Sequence, residues 1–172
     1  MLAIGSKIFN RPDDLTLAKK LLDTCIWMYS HTVTGLSPEI VGFLPEQKDS
    51  TFTIYSTHEG LSYYDIDTHY HLRPETVESL FILWRITGDV KYVEAGWEIF
   101  KAIEKWCRTD VGYSALKDVN YSDSKLDSLE SFFFAETLKY LYLLFSPPNV
   151  LDLDKYVFST EAHPFMRGSR LK

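Results

Sequence analysis

Apolar residues recur at helical spacing in four stretches of this chain, and polar or β-like residues fill the gaps. In "RPDDLTLAKKLLDTCIWMYSHTVTG", Leu15, Ala18, Leu21, Leu22, Cys25 and Met28 fall three or four apart, as on one helical face. Pro12 and Asp13 suit its start, and Gly35 follows its end. A second helix is predicted from Pro74 through Leu80, Leu83, Trp84 and Ile86 to Gly88, which can close it in left-handed geometry. Asp89 can cap a third, "VKYVEAGWEIFKAIEKWC". With almost nothing between them, these two are expected to pack as an antiparallel pair. A fourth is predicted over "LDSLESFFFAETLKYLYLLF", ended by Pro147 and Pro148. Its apolar residues lie nearly all round, so burial on most sides is expected.

The stretches between are of another kind. Residues 36–68 contain pieces such as "STFTIYST" and read as a long loop with a hairpin. "GYSALKDVNYSDSK" reads as a loop, and the tail "LDKYVFSTEAHPFM" as an extended strand and a turn. No linker or low-complexity stretch divides residues 1–172, which therefore read as a single domain. Helix pairs alternating with long loops predict an all-α fold, an α/α toroid whose loops line a site at one end. A helical-repeat scaffold is the alternative, but no fixed period supports it.

Aromatic residues make up 15% of the chain, with 11 Phe, 11 Tyr and 4 Trp. They fill a core or form a surface on which sugar rings stack; composition alone favours the core. The net charge is −6, with Lys and Arg scattered in no basic stripe, which argues against nucleic-acid binding. No apolar run reaches the roughly 20 residues of a membrane span. "MLAIGSKIF" is too short and too polar for a secretory signal. Cys25 and Cys107 lack metal-ligand spacing, leaving one disulfide or two buried thiols. One N-x-S/T triplet, Asn120-Tyr121-Ser122, is weak support for the secretory pathway.

The candidate chemistry lies in acids. Glu75 and Glu78 share a face in the first turn of the second helix. They are either dipole-favoured surface acids or a pair aimed into a site. Arg73, just before them, is placed to pair with one and hold it ionised. Glu130 and Glu136 flank "SFFFA", where a carboxylate is costly unless paired, hydrogen-bonded or near a metal. Phe132 and Glu136, four apart, make a sugar-binding pair or a core ring beside a solvent-edge acid. In "STEAHP", Thr160 and Glu161 offer hard oxygens that suit Ca²⁺, or form a surface turn. His163, before Pro164, reads as structural, and His69 with His71 lacks the third partner of a transition-metal site. No G-x-S-x-G, P-loop or dinucleotide fingerprint occurs. Carboxylates with an aromatic lining point to glycoside hydrolysis, which needs a proton donor and a base or nucleophile.

Several long motifs together resemble one family. "LRPETVESLFILWRITGD", "LESFFFAETLKYLYLLF", "YVFSTEAHP", "TGLSPEIV" and the opening "MLAIGSKIFNRP" are similar, in order, to the C-terminal signatures of the class I α-1,2-mannosidases, glycoside hydrolase family 47. The resemblance implies an (αα)7 barrel, of which residues 1–172 are a partial C-terminal portion, with short β-hairpins in the loops and at the C-terminus. It implies hydrolysis of terminal α-1,2-linked mannose from high-mannose N-glycans, with inversion and Ca²⁺, in the endoplasmic reticulum or Golgi lumen. It makes Glu75 the candidate base and Arg73 an orienting group. It makes Thr160 the Ca²⁺ ligand through its carbonyl and hydroxyl. Glu78, Glu136 and Glu161 then hold calcium-bound waters or the terminal mannose, and Phe132 packs against that sugar. Ser159 departs from the Asn more often found there. The family's general acid, its other essential acid and the disulfide partner of Cys25 lie in motifs upstream of Met1, so the chain alone is expected to be inactive, with Cys25 an orphan and Cys107 a buried thiol. A glycan-recognition factor of glycoprotein quality control, or a non-catalytic helical scaffold, is the alternative function.

Overall fold

The computed structural model describes residues 1–44, 55–56 and 62–168. Five α-helices dominate: α1 (Leu2–Ile8), α2 (Pro12–Ser30), α3 (Glu75–Thr87), α4 (Lys91–Trp106) and α5 (Lys139–Phe145). A π-helical segment, Phe133–Leu138, runs directly into α5. The strands are short and antiparallel: β1 (Ile40–Leu44), β2 (Tyr55–Ser56) and β3 (Ser62–Asp67) in one sheet, β4 (Tyr156–Phe158) and β5 (Pro164–Met166) in another. No sheet closes on itself among the described residues, and none of their helices is long and apolar enough to cross a membrane.

Local chemistry accounts for the helix ends. α2 starts on Pro12, whose missing N–H costs nothing in the first turn, with Asp13 and Asp14 following at the positive dipole end. Gly88 closes α3 at φ 70, its N–H donating to the Trp84 carbonyl at 2.8 Å. The Asp89 carboxylate then accepts from the Lys91 amide at 3.1 Å and opens α4, as expected.

α3 is the central element. It packs against α1, α2, α4, α5 and the π-helical segment. Its inner face buries Val77, Leu80, Phe81 and Leu83 against Tyr92, Ile99 and Ile103 of α4 and Leu141 and Leu144 of α5. Gly96 lets α4 and α5 close up, since a Cβ there would lie 2.2 Å from the Leu144 side chain.

Three expectations need correction, and α1 is an addition, because seven residues are too few to show periodicity. The hairpin of residues 36–68 is part of a three-stranded sheet of order β1-β3-β2; most of "STFTIYST" lies outside the described residues. The fourth helix does not begin at Leu126. Leu126 donates to the Ala115 carbonyl, and the Ala115 amide donates to Ser128, both at 2.8 Å, so those groups are tied to a loop. Glu130 therefore lies before the helix and is exposed. Nor is that helix buried on most sides, for Phe134 is 56% and Tyr142 66% exposed.

The two cysteines are free. Cys107 is fully buried, and that burial pushes its thiol up to about 12; Cys25 is half-buried and also raised by burial. Of the two sequence readings, thiols rather than a Cys25–Cys107 bridge hold.

Candidate active site

Three elements present the predicted site residues. Arg73 and Glu75 come from the entry to α3, with Glu78 one turn in. Phe132 and Glu136 come from the start of the π-helical segment. Thr160 and Glu161 sit in the turn between β4 and β5.

The acids meet. Glu136 is raised above the ordinary carboxylate value, first by burial, then by Glu75 and Glu161; Lys139 and His163 oppose the shift. Glu78 is raised by burial, with Glu136 and Glu75 adding to it and the N-terminal ammonium opposing. Two buried tyrosines, Tyr29 and Tyr70, also sense Glu75. Burial pushes Tyr29 up to about 12 and Tyr70 well above its usual value, and the Glu75 charge adds to both. Tyr140 is likewise raised by burial and by Glu78 and Glu136. Four carboxylates from three elements thus share one electrostatic neighbourhood, a setting that favours a cation.

Arg73 does not pair with Glu75 or Glu78. Its Nε donates to the carboxylate of Glu39, and its guanidinium lies 5.6 Å from the centre of the Phe132 ring. Glu39 was not among the expected site residues, although "TGLSPEIV" drew notice as a motif. Thirty-four residues separate the pair, and only an acid after a proline in an apolar stretch signalled it. Glu39, Arg73, Glu75, Thr76, Tyr29 and Tyr70 border a cleft of about 180 Å³.

The tail turn is built by Ser159. Its hydroxyl accepts from the amides of His163 at 3.1 Å and Glu161 at 3.3 Å. His163 is therefore structural, tied to the Ser159 hydroxyl. His69 bonds through Nδ1 to the Asp67 carboxylate at 2.5 Å and stacks on His71. Among the described residues no three His, Cys, Asp or Glu side chains form a ready metal cage.

The raised acids give a pH dependence. Glu78 and Glu136 sit above their free value of 4.5, so their contribution to stability is complete below it and lost as pH rises through the folded values. Without divalent cations, the melting midpoint is expected to fall as pH rises from about 4.5 toward neutrality. Glu136→Gln should flatten that slope; equal slopes in parent and variant would remove Glu136 from the cluster.

The model of glycosyl hydrolase family 47 matches residues 1–167. The chain belongs to that family. It is 48% identical over 168 residues to the mannosyl-oligosaccharide 1,2-alpha-mannosidase MNS1 of Arabidopsis thaliana, an alignment covering 95% of this chain and 27% of the relative. It is 46% identical over 158 residues to the human endoplasmic reticulum mannosyl-oligosaccharide 1,2-alpha-mannosidase, covering 87% and 21%. The solved structure of an alpha-1,2-mannosidase from Trichoderma reesei superposes with a TM-score of 0.83 at 32% identity, covering 96% of this chain and 36% of that one. The family 47 chain therefore has the fold of part of an α/α barrel, as expected, and spans roughly a quarter of the length of these curated relatives.

Proposed function

We propose that these residues form part of the catalytic domain of a class I α-1,2-mannosidase. It removes terminal α-1,2-linked mannose from high-mannose N-glycans, with inversion, in the endoplasmic reticulum or Golgi lumen. The observation that carries this reading is the family match over residues 1–167, and the mutual electrostatic influence of Glu75, Glu78, Glu136 and Glu161 supports it.

Glu75, at the open end of α3, is the base that takes the proton of the attacking water. Arg73, held by Glu39 and laid over Phe132, orients the sugar, and the Phe132 ring offers it an apolar face. Buried Tyr29 and Tyr70 line the same cleft as Glu75. Ca²⁺ suits the site: Thr160 would hold it through its carbonyl and hydroxyl, with Glu78, Glu136 and Glu161 binding its waters. When bound, it supplies positioning of sugar hydroxyls and charge stabilisation.

The first test is thermal. Ca²⁺ should raise the melting temperature of the parent chain, and Thr160→Ala should abolish the rise. No rise in the parent would favour a helical scaffold instead. The second is enzymatic. An inverting site needs acid and base together, and the roles proposed for these residues include only the base. Purified alone, it is expected to leave a high-mannose glycan intact over a long incubation; ordinary turnover would overthrow that assignment of roles.

A further inference from the structure

Two non-glycine residues with completely buried side chains take left-handed backbone, Leu72 at φ 60 and Ala162 at φ 56. Such a conformation persists only where the surroundings over-determine it. Leu72 directly precedes Arg73 and stands three before Glu75. Ala162 directly follows Glu161 and stands two after Thr160. Neither residue carries chemistry, yet each sets the direction of a segment that does.

The carbonyls of both are gripped by one short stretch. The hydroxyl of Thr137, itself fully buried, donates to the Leu72 carbonyl at 2.6 Å across 65 residues of chain. The ammonium of Lys139, half-buried, donates to the Ala162 carbonyl at 3.0 Å. Glu136 immediately precedes this pair, and the change from π- to α-helix falls between Thr137 and Lys139. Residues two apart on a helical turn point to roughly opposite sides, so one stretch can reach both the entry of α3 and the tail turn. π-helical turns of this kind are frequent at functional sites.

We infer that Thr137 and Lys139 are positioning residues: by holding the carbonyls of Leu72 and Ala162, they register the Arg73–Glu75 and Thr160–Glu161 segments against Glu136. The inference rests on the reading of those residues as the site, but its geometry can be tested separately.

The probe is the Arg73 side chain, whose guanidinium lies 5.6 Å from the Phe132 ring centre. In the full chain, NMR should show the Arg73 side-chain protons shifted upfield by that ring. Thr137→Val keeps the volume and removes the donor. It should abolish the ring shift and weaken Ca²⁺ binding, read by calorimetry, at least tenfold. Thr137→Ser should restore both. A folded Thr137→Val with the shift intact, merely melting lower, would reduce Thr137 to a core residue and overturn the proposal. If Thr137→Val fails to fold, Lys139→Met decides: the amide resonances of Ser159–His163 should move, and if they do not the proposal falls. If the parent takes up no Ca²⁺ at all, the functional reading fails, while the ring shift and the amide resonances still decide the positioning role.

Discussion

Glu75→Gln is expected to lower kcat/KM by about 10²- to 10⁴-fold in a chimaera in which residues 1–167 replace the matching segment of the Arabidopsis mannosidase. The chimaera provides the rest of a family 47 domain and should turn over its mannosyl-oligosaccharide. Glutamine keeps the shape of Glu75 and its place in the first turn of α3 but cannot take a proton. The loss should therefore fall on kcat more than on KM. Glu130→Gln is the control. Glu130 lies outside the helix and is exposed, so that variant should match the chimaera. Full turnover by Glu75→Gln would move the base to another residue.

Arg85→Ala should cost about 3 kcal/mol, read as a fall of about 6–12 °C in melting temperature. The Arg85 guanidinium donates to the carbonyls of Leu143 at 2.9 Å, Val150 at 3.1 Å and Pro148, and lies 4.9 Å from the centre of the Phe81 ring. One planar cation thus gathers the orphan carbonyls at the end of α5 and the turn beyond it. Burial lowers its pKa and Asp152 opposes the fall, but the group is only half-buried, so the cost is kept near that of one or two charged hydrogen bonds. Arg85→Lys should recover little, because an ammonium does not span three carbonyls. A change within about 0.5 kcal/mol, the range of ordinary surface substitutions, would show that water replaces the guanidinium freely.

Much of this was legible in the residues. Pro12, Pro74, Gly88 and Asp89 mark helix ends through local backbone rules, and the structure has ends there. The reading of Glu75, Glu78, Glu136 and Glu161 as one site comes from the family resemblance; spacing alone leaves each acid with a surface alternative. What stayed hidden depended on distant partners. The Arg73–Glu39 pair spans 34 residues, and no local pattern distinguishes Glu39 from Glu75 as a partner. The stretch 126–131 looks helical by composition, yet its backbone bonds go to Ala115, a tertiary choice that overrides propensity. The π-helical turns have no periodic signature that a count of three and four would catch.

α3 runs through the middle of the molecule and ends, at its first turn, in Glu75. Core packing and the proposed base therefore belong to one helix. Given that proposed role, trimming the fully buried Leu80 or Phe81 should cost activity as well as stability, because a shift of a fraction of an ångström at the tip would take the base out of reach of its proton. Inherited or engineered changes deep under that helix are therefore expected to weaken folding and function together.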